Sequence, residues 1–222
     1  MASFASFQPH QAGPGGVAAV LASCVEVAGS AEDACSICMC EFVVGGGEDE
    51  SCVKLPACQH TFHPACIKRM LEMSGRCAIC SVYYVVQLGS MPPGTMTVTV
   101  NPSRLPGHPD CGTITIHYSI PSGIQGPDHP SPGAHYSGAN RAAYLPDSAE
   151  GRDALRLLRV CFDRRLTFTV GTSLTTGVSN TVIWNGVHHK TSVYGGSAGF
   201  GFPDETYLSR LFDELAAKGI TR

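Results

Sequence analysis

The 222-residue sequence contains no apolar run approaching the ~20 residues that would carry a helix across a bilayer. A membrane-spanning helix is therefore not expected. Charge is also scarce: Asp, Glu, Lys and Arg make up 15% of the residues and the net charge is −3. With no basic excess, bulk charge does not point to nucleic-acid binding. No basic segment precedes the first apolar stretch, so a secretory signal peptide is not expected either. Cysteine, by contrast, is plentiful, with eleven residues. Spread evenly, they would suggest a secreted disulfide scaffold. Instead, six of them fall with two histidines into metal-ligand spacing. That usage points to a reducing compartment, cytosol or nucleus.

The cluster reads Cys35-x2-Cys38, nineteen residues, Cys58-x-His60-x2-His63-x2-Cys66, ten residues, Cys77-x2-Cys80. Eight donors in four close pairs suffice for two tetrahedral zinc sites. Disulfides account for it poorly, because two histidines stand in register with the thiols. So short a segment buries little apolar surface. Zinc would supply the missing folding free energy, on the order of 10 kcal/mol per structural site. With four protein donors to each ion, no coordination position remains for water or substrate, so both zincs would be structural. Cys40 and Cys52 lie inside the stretch but outside the register.

The ligand order resembles a RING finger of the two-histidine type, a cross-brace fold in which the pairs alternate between metals. By that resemblance Cys35, Cys38, His63 and Cys66 hold one zinc, and Cys58, His60, Cys77 and Cys80 hold the other. The resemblance also sets Ile37, between the first two ligands, against a ubiquitin-conjugating enzyme (E2). The alternative is that Ile37 packs inward with Leu55 and Phe62 in a very small core. Pro64 to Met73 is expected to be the RING helix. Two positions depart from many RING ligases. Ala78 stands where proline commonly follows the seventh ligand. Ser81 stands where a basic residue follows the eighth and bridges E2 and ubiquitin.

Outside this region, residues 1–34 are rich in Ala, Gly and Ser. They are expected to be largely disordered, with 17–27 apolar enough for a short helix or strand. The RING region runs over 35–83 and a linker over 84–94, where Pro92, Pro93 and flanking glycines break the chain. A second domain then fills 95–222. Within it, Met96, Val98 and Val100 alternate with polar residues. So do Ile114, Ile116, Tyr118 and Ile120, and again Leu166, Phe168 and Val170. These runs, with Val182 to Trp184, predict strands of a mainly antiparallel sheet. Residues 121–147 read as a long irregular loop, a length that usually carries function. A helix over 148–162 has its apolar stripe on Ala154, Leu157, Leu158, Cys161 and Phe162, which makes Cys161 a core residue rather than a nucleophile. A last helix begins at Asp204 as N-cap and ends at Gly219, with Tyr207, Leu208, Leu211, Phe212 and Leu215 on its stripe. The fold class is α+β behind a small zinc-stabilised domain.

The segments GTITIHYSIPSGIQGPDHPSPGAHYSG, RAAYLPDSAEGRDALRLL, RLTFTVGTSLTTG, WNGVHHKTS and GFPDETYL resemble the C-terminal domain of Deltex ubiquitin ligases, which follows a RING finger. The resemblance implies a two-part ligase. Its RING recruits an E2 charged with ubiquitin. Its C-terminal domain binds NAD or ADP-ribose, or ADP-ribosylated proteins, and can join the ubiquitin C-terminus to ADP-ribose. It assigns Gly171, Thr172 and Ser173 to one pocket loop, Trp184, His188 and His189 to a second, and Glu214 as the catalytic carboxylate. Phe200 stands where several members have histidine. Chemistry offers partial support. A Gly-Thr-Ser turn presents N–H groups and hydroxyls to a diphosphate. Trp184, Phe200 and Phe202 could wall an adenine, and Lys190 could set a cation near phosphate. Ala78 and Ser81 keep a rival reading open: a zinc-stabilised adaptor that reads ADP-ribosylated proteins with little or no ligase activity.

Overall fold

The computed structural model describes residues 16–27, 34–42 and 52–222. The chain divides into two compact units, one ending at Gln87 and the other beginning at Leu88.

In the first unit, helix α1 (Val17–Ala22) is followed by strand β1 (Val25–Val27), strands β2 (Cys52–Lys54) and β3 (Thr61–Phe62), and helix α2 (Pro64–Ser74). The strands form an antiparallel sheet in the order β1-β2-β3. Leu55, Phe62, Ile67 and Leu71 are almost fully buried and make up most of a small core with Phe42 and Tyr84. Helix α2 starts because Pro64 sits at its first turn, where a missing N–H costs nothing. It stops at Gly75, which takes the left-handed conformation at φ 67° and returns its N–H to the Leu71 carbonyl. A side chain there would be strained, and its Cβ would come within 2.9 Å of the Val85 carbonyl.

Within 1–34, the apolar stretch 17–27 forms both a short helix and a strand. Val20 on α1 is buried in the first core, with Val17 and Leu21 packed against it. Strand β1 pairs with β2 from Val25↔Lys54 to Val27↔Cys52. Residues 1–15 and 28–33 lie outside the described residues.

The second unit runs through β4 (Thr95–Asn101), β5 (Thr113–Ile120), β6 (Gly123–Ile124), β7 (His135–Tyr136), β8 (Ala139–Pro146), α3 (Ala149–Asp163), β9 (Phe168–Gly171), β10 (Thr181–Trp184) and α4 (Tyr207–Ala216). Its main sheet has β5 in the centre, antiparallel to β4 and β8 on either side. The hairpins β6-β7 and β9-β10 are also antiparallel. Ile114, Ile116, Tyr118 and Ile120 of β5 enter a core shared with the apolar stripe of α3, including Cys161, and with Leu211 and Leu215 of α4. Each such side chain contributes roughly 1.5–3 kcal/mol relative to exposure. Ser148 caps α3, its hydroxyl accepting from the Gly151 N–H.

Three expectations change. Residues 121–147 are not one irregular loop, since β8 pairs with β5 along its whole length from Ala139↔Ile120 to Pro146↔Thr113. Its Ala-Asn-Arg-Ala-Ala stretch has poor strand propensity, and the strand forms because β5 offers a buried partner. Helix α4 starts at Tyr207 rather than at Asp204, and the Asp204 carboxylate is spent on ion pairs instead of a cap. The linker over 84–94 is shared between the units. The Tyr84 hydroxyl accepts from the Cys58 N–H in the first unit. In the second, Gly89 and Met91 donate to the Arg164 and Arg165 carbonyls.

Candidate functional site

Three turns of one geometry build the first unit's donor sets. In each, the first residue's N–H reaches the carbonyl five residues on, and the fifth residue's N–H returns to the first carbonyl. The turns begin at Cys35, Leu55 and Cys77. Met39, Gln59 and Ser81 at the fifth positions take φ of 63°, 60° and 60°. The Cys35 and Cys77 turns each fold a Cys-x2-Cys pair so that both sulfurs face one point. His63, the residue that caps α2, and Cys66 on its first turn complete one set, while Cys58 and His60 complete the other.

Among the described residues, Cys35, Cys38, His63 and Cys66 form one group and Cys58, His60, Cys77 and Cys80 a second, with all donor atoms of each group within 4.8 Å of one another. The Cys38 Sγ lies 3.3 Å from the His63 Nδ1, and the Cys77 Sγ 3.6 Å from the His60 Nδ1. Donors at zinc bond lengths around a tetrahedron stand roughly 3.5–3.8 Å apart, so both sets fit Zn²⁺. Proton sharing within the sets is uneven. The Cys40 N–H and hydrogen bonds from His63, Cys66 and Cys35 bring the Cys38 thiol down to about 6. Burial and the neighbouring Cys38 and Cys35 push Cys66 up to about 12. A dication bound among these sulfurs takes the place of the protons they share. Bound there, zinc contributes structure alone, because all four donors come from protein.

The out-of-register cysteines stay out of both groups. Cys40 donates to the Cys38 carbonyl and Cys52 to the Val27 carbonyl. Among the described residues no disulfide forms. Ile37 is half-buried and leans on the small core. Ile79, at the matching place in the Cys77 turn, is 51% exposed and was not singled out from sequence, although the ligand register would have pointed to it.

The second site is in the other unit, where the segment after β10 meets α4. Glu214 gives both carboxylate oxygens to one residue: Oε2 accepts the His188 N–H at 2.7 Å, and Oε1 lies 2.5 Å from the His188 Nδ1. The Glu214 side chain is 23% exposed and that of His188 76%. The imidazole's other nitrogen is thus the pair's outward end. His189, the next residue, is the opposite case. It is buried, with Nδ1 on the Val187 carbonyl at 2.9 Å and Nε2 on the Tyr118 hydroxyl at 3.0 Å. Burial holds its pKa down at about 4 and raises that of Tyr118. The ring is therefore neutral, accepting the Tyr118 proton and donating from Nδ1. His189 is structural.

Trp184 is stacked on Phe168 at 4.5 Å and on His189 at 4.1 Å, so its indole is already packed and does not present an open wall. Gly171 ends β9 opposite Thr181. Thr172 bonds Ser179 through their hydroxyls, and the Ser173 N–H donates to the Val178 carbonyl, so that N–H is not free for a phosphate. The Ser173 hydroxyl accepts the Thr176 N–H. Phe202 is buried, whereas Phe200 is exposed at φ 55° and has no stacked partner among the described residues. Lys190 is not a cation held out to phosphate: it is buried and paired with Asp204.

A module of two interlocked metal sites and an α+β domain with a histidine-glutamate pair define the class, a RING protein with a second functional domain. Residues 33–81 match the Ring finger domain and residues 88–220 the Deltex C-terminal domain. The chain belongs to the Deltex family. It is 46% identical over 205 residues to the E3 ubiquitin-protein ligase DTX4 of Mus musculus, covering 86% of this chain and 33% of that protein. It is 46% identical over 198 residues to the probable E3 ubiquitin-protein ligase DTX3 of Homo sapiens, covering 88% and 55%. It is 42% identical over 206 residues to the E3 ubiquitin-protein ligase DTX1 of Xenopus laevis, covering 85% and 33%. The chain thus spans about a third to about half the length of these relatives. Among the described residues no helix is long and apolar enough to cross a membrane.

Proposed function

We propose that this protein is a RING-type E3 ubiquitin ligase whose second unit binds NAD or ADP-ribose, free or attached to proteins, and joins the ubiquitin C-terminus to it. The observation that carries the ligase reading is the succession of a Ring finger domain and a Deltex C-terminal domain in one chain, with relatives named as ligases across most of its length. The RING turns, with Ile37 and Ile79 at their tips, dock the E2. A cytosolic or nuclear setting keeps the thiol ligands reduced.

The His188–Glu214 pair supports the ribose reaction. A ribose hydroxyl attacks the E2–ubiquitin thioester, the ester C–O bond forms, the C–S bond breaks, and the hydroxyl proton must leave. Glu214 supplies the base through the exposed imidazole bonded to it: the His188 Nε2 takes the hydroxyl proton while the carboxylate holds the Nδ1 proton, and the E2 sulfur leaves as thiolate. A positioned base of this kind is typically worth ~10²–10⁴ in rate. The turn at Gly171, Thr172 and Ser173 and the exposed ring of Phe200 border the same domain's ligand site in this reading.

The test is reconstitution with E1, a panel of E2s, ubiquitin and NAD, scoring lysine-linked chains and ubiquitin–ADP-ribose separately. Both products are expected. Silence with every E2 alongside measurable ADP-ribose binding would replace the ligase with the adaptor. Absence of ADP-ribose binding up to millimolar ligand would remove the second activity.

A further inference from the structure

The sequence from Thr191 to Pro203 leaves the segment after β10 and returns to α4, and it carries Tyr194 and Phe200 on its surface. At its base stands a buried ion pair. The Lys190 Nζ lies 2.6 Å from the Asp204 carboxylate, and both side chains are 5% exposed. The Lys190 Nζ also stands over the rings of Tyr207, at 5.3 Å, and Phe202, at 5.9 Å. Asp204 further binds Arg210 at 2.8 Å, one helical turn before Glu214. The Tyr207 hydroxyl reaches the His188 carbonyl, and the Lys190 carbonyl accepts from Tyr144 on β8. One carboxylate therefore ties together the base of the loop, the segment that presents His188 and the helix that presents Glu214.

Desolvating two charges is costly, and apolar residues of similar volume usually hold a fold as well or better. What such residues lack is direction: an ion pair fixes where two backbones stand along one another. We infer that Lys190 and Asp204 are a positioning pair that holds His188 in register with Glu214, an inference that rests on the reading of His188–Glu214 as the reacting pair. Lys190 touches neither member of that pair through its ammonium group. It acts by placing the backbone two residues from His188.

The test uses the full zinc-loaded chain with the double substitution Lys190→Met and Asp204→Leu, which keeps volume and removes both buried charges together. Proton–nitrogen NMR reads the His188 backbone amide, held downfield by its bond to the Glu214 carboxylate and assigned by ¹⁵N-histidine labelling together with His188→Ala. In the double variant this resonance is expected to vanish or move upfield while thermal melting and Trp184 fluorescence stay near those of the parent. Ubiquitin–ADP-ribose formation should fall at least ~10-fold in kcat, since small misplacements at a reacting pair are costly, while ADP-ribose affinity stays within about threefold. An unchanged resonance in a folded double variant overturns the inference. A drop in binding equal to the drop in kcat does so as well. If the parent itself makes no ubiquitin–ADP-ribose, the functional reading fails, and the resonance alone still decides the positioning role. Should the double variant fold poorly, Asp204→Asn, which conserves shape, is read the same way, and retention of the parent signal refutes the pair's role.

Discussion

Replacing Glu214 by glutamine separates its chemical role from its structural one. The carboxylate makes two bonds, both to His188. A glutamine carbonyl can keep the backbone N–H bond but must give up the charge and the second oxygen acceptor. The structural loss is one hydrogen bond to a side chain that is largely exposed, about 1 kcal/mol, so melting of the second unit should move by only a few degrees. The chemical loss is larger. A neutral amide cannot support the His188 imidazole as it takes the hydroxyl proton, and ubiquitin–ADP-ribose formation should drop by ~10²–10⁴. The assay runs parent, Glu214→Gln and Glu214→Ala side by side for three activities: ADP-ribose binding, lysine chains and ubiquitin–ADP-ribose. Selective collapse of the last is expected. If all three fall together, Glu214 is structural. If none falls, another residue is the base.

Purified protein should carry two zinc ions per chain, and metal analysis finding under one would contradict both donor sets. Cys77→Ser should unfold the first unit while the second melts as before, because its core is separate. Zinc should also be lost as pH falls: burial lifts the Cys66 and Cys77 thiols to about 12 and 11, so binding a dication must displace protons, and acid returns them. Zinc release unaffected between neutral and mildly acid pH would count against this. Ile37→Ala should slow discharge of E2–ubiquitin by an amount on the order of 1–2 kcal/mol, and unchanged discharge would place the E2 elsewhere. Ser81→Arg should raise ligase activity by restoring a cation after the eighth ligand, and no gain would show that the bridging is done by another group. His189 carries a pH signature of opposite origin. Its folded pKa lies near 4, below the ordinary 6.5, so the unfolded chain binds the proton first and stability declines as pH drops from 6.5 towards 4. The loss should approach about 3 kcal/mol, and a His189→Phe variant with the same pH slope as the parent would refute it.

The zinc donors could be read from sequence because metal chemistry imposes residue type and spacing together, and the eight positions fall in the two groups that the ligand order implies. The strands β4, β5 and β9 and the stripe of α3 were legible for a similar reason: a half-buried strand repeats every second residue and a helix every third or fourth, whatever surrounds them. Strand β8 was hidden because its residues carry weak propensity and its pairing comes from β5, about twenty residues away. The adjacent His188 and His189 look alike in sequence and differ only through partners brought by the fold. Tyr118 from β5 buries and neutralises one, and Glu214 from α4 holds the other at the surface. Asp204 had the sequence of a helix cap and Lys190 that of a phosphate ligand until tertiary packing set them against each other. Local periodicity and ligand spacing are properties of the chain itself. Whether a titratable side chain meets solvent, a proton or an opposite charge depends on residues distant in sequence, and only the tertiary structure decided that.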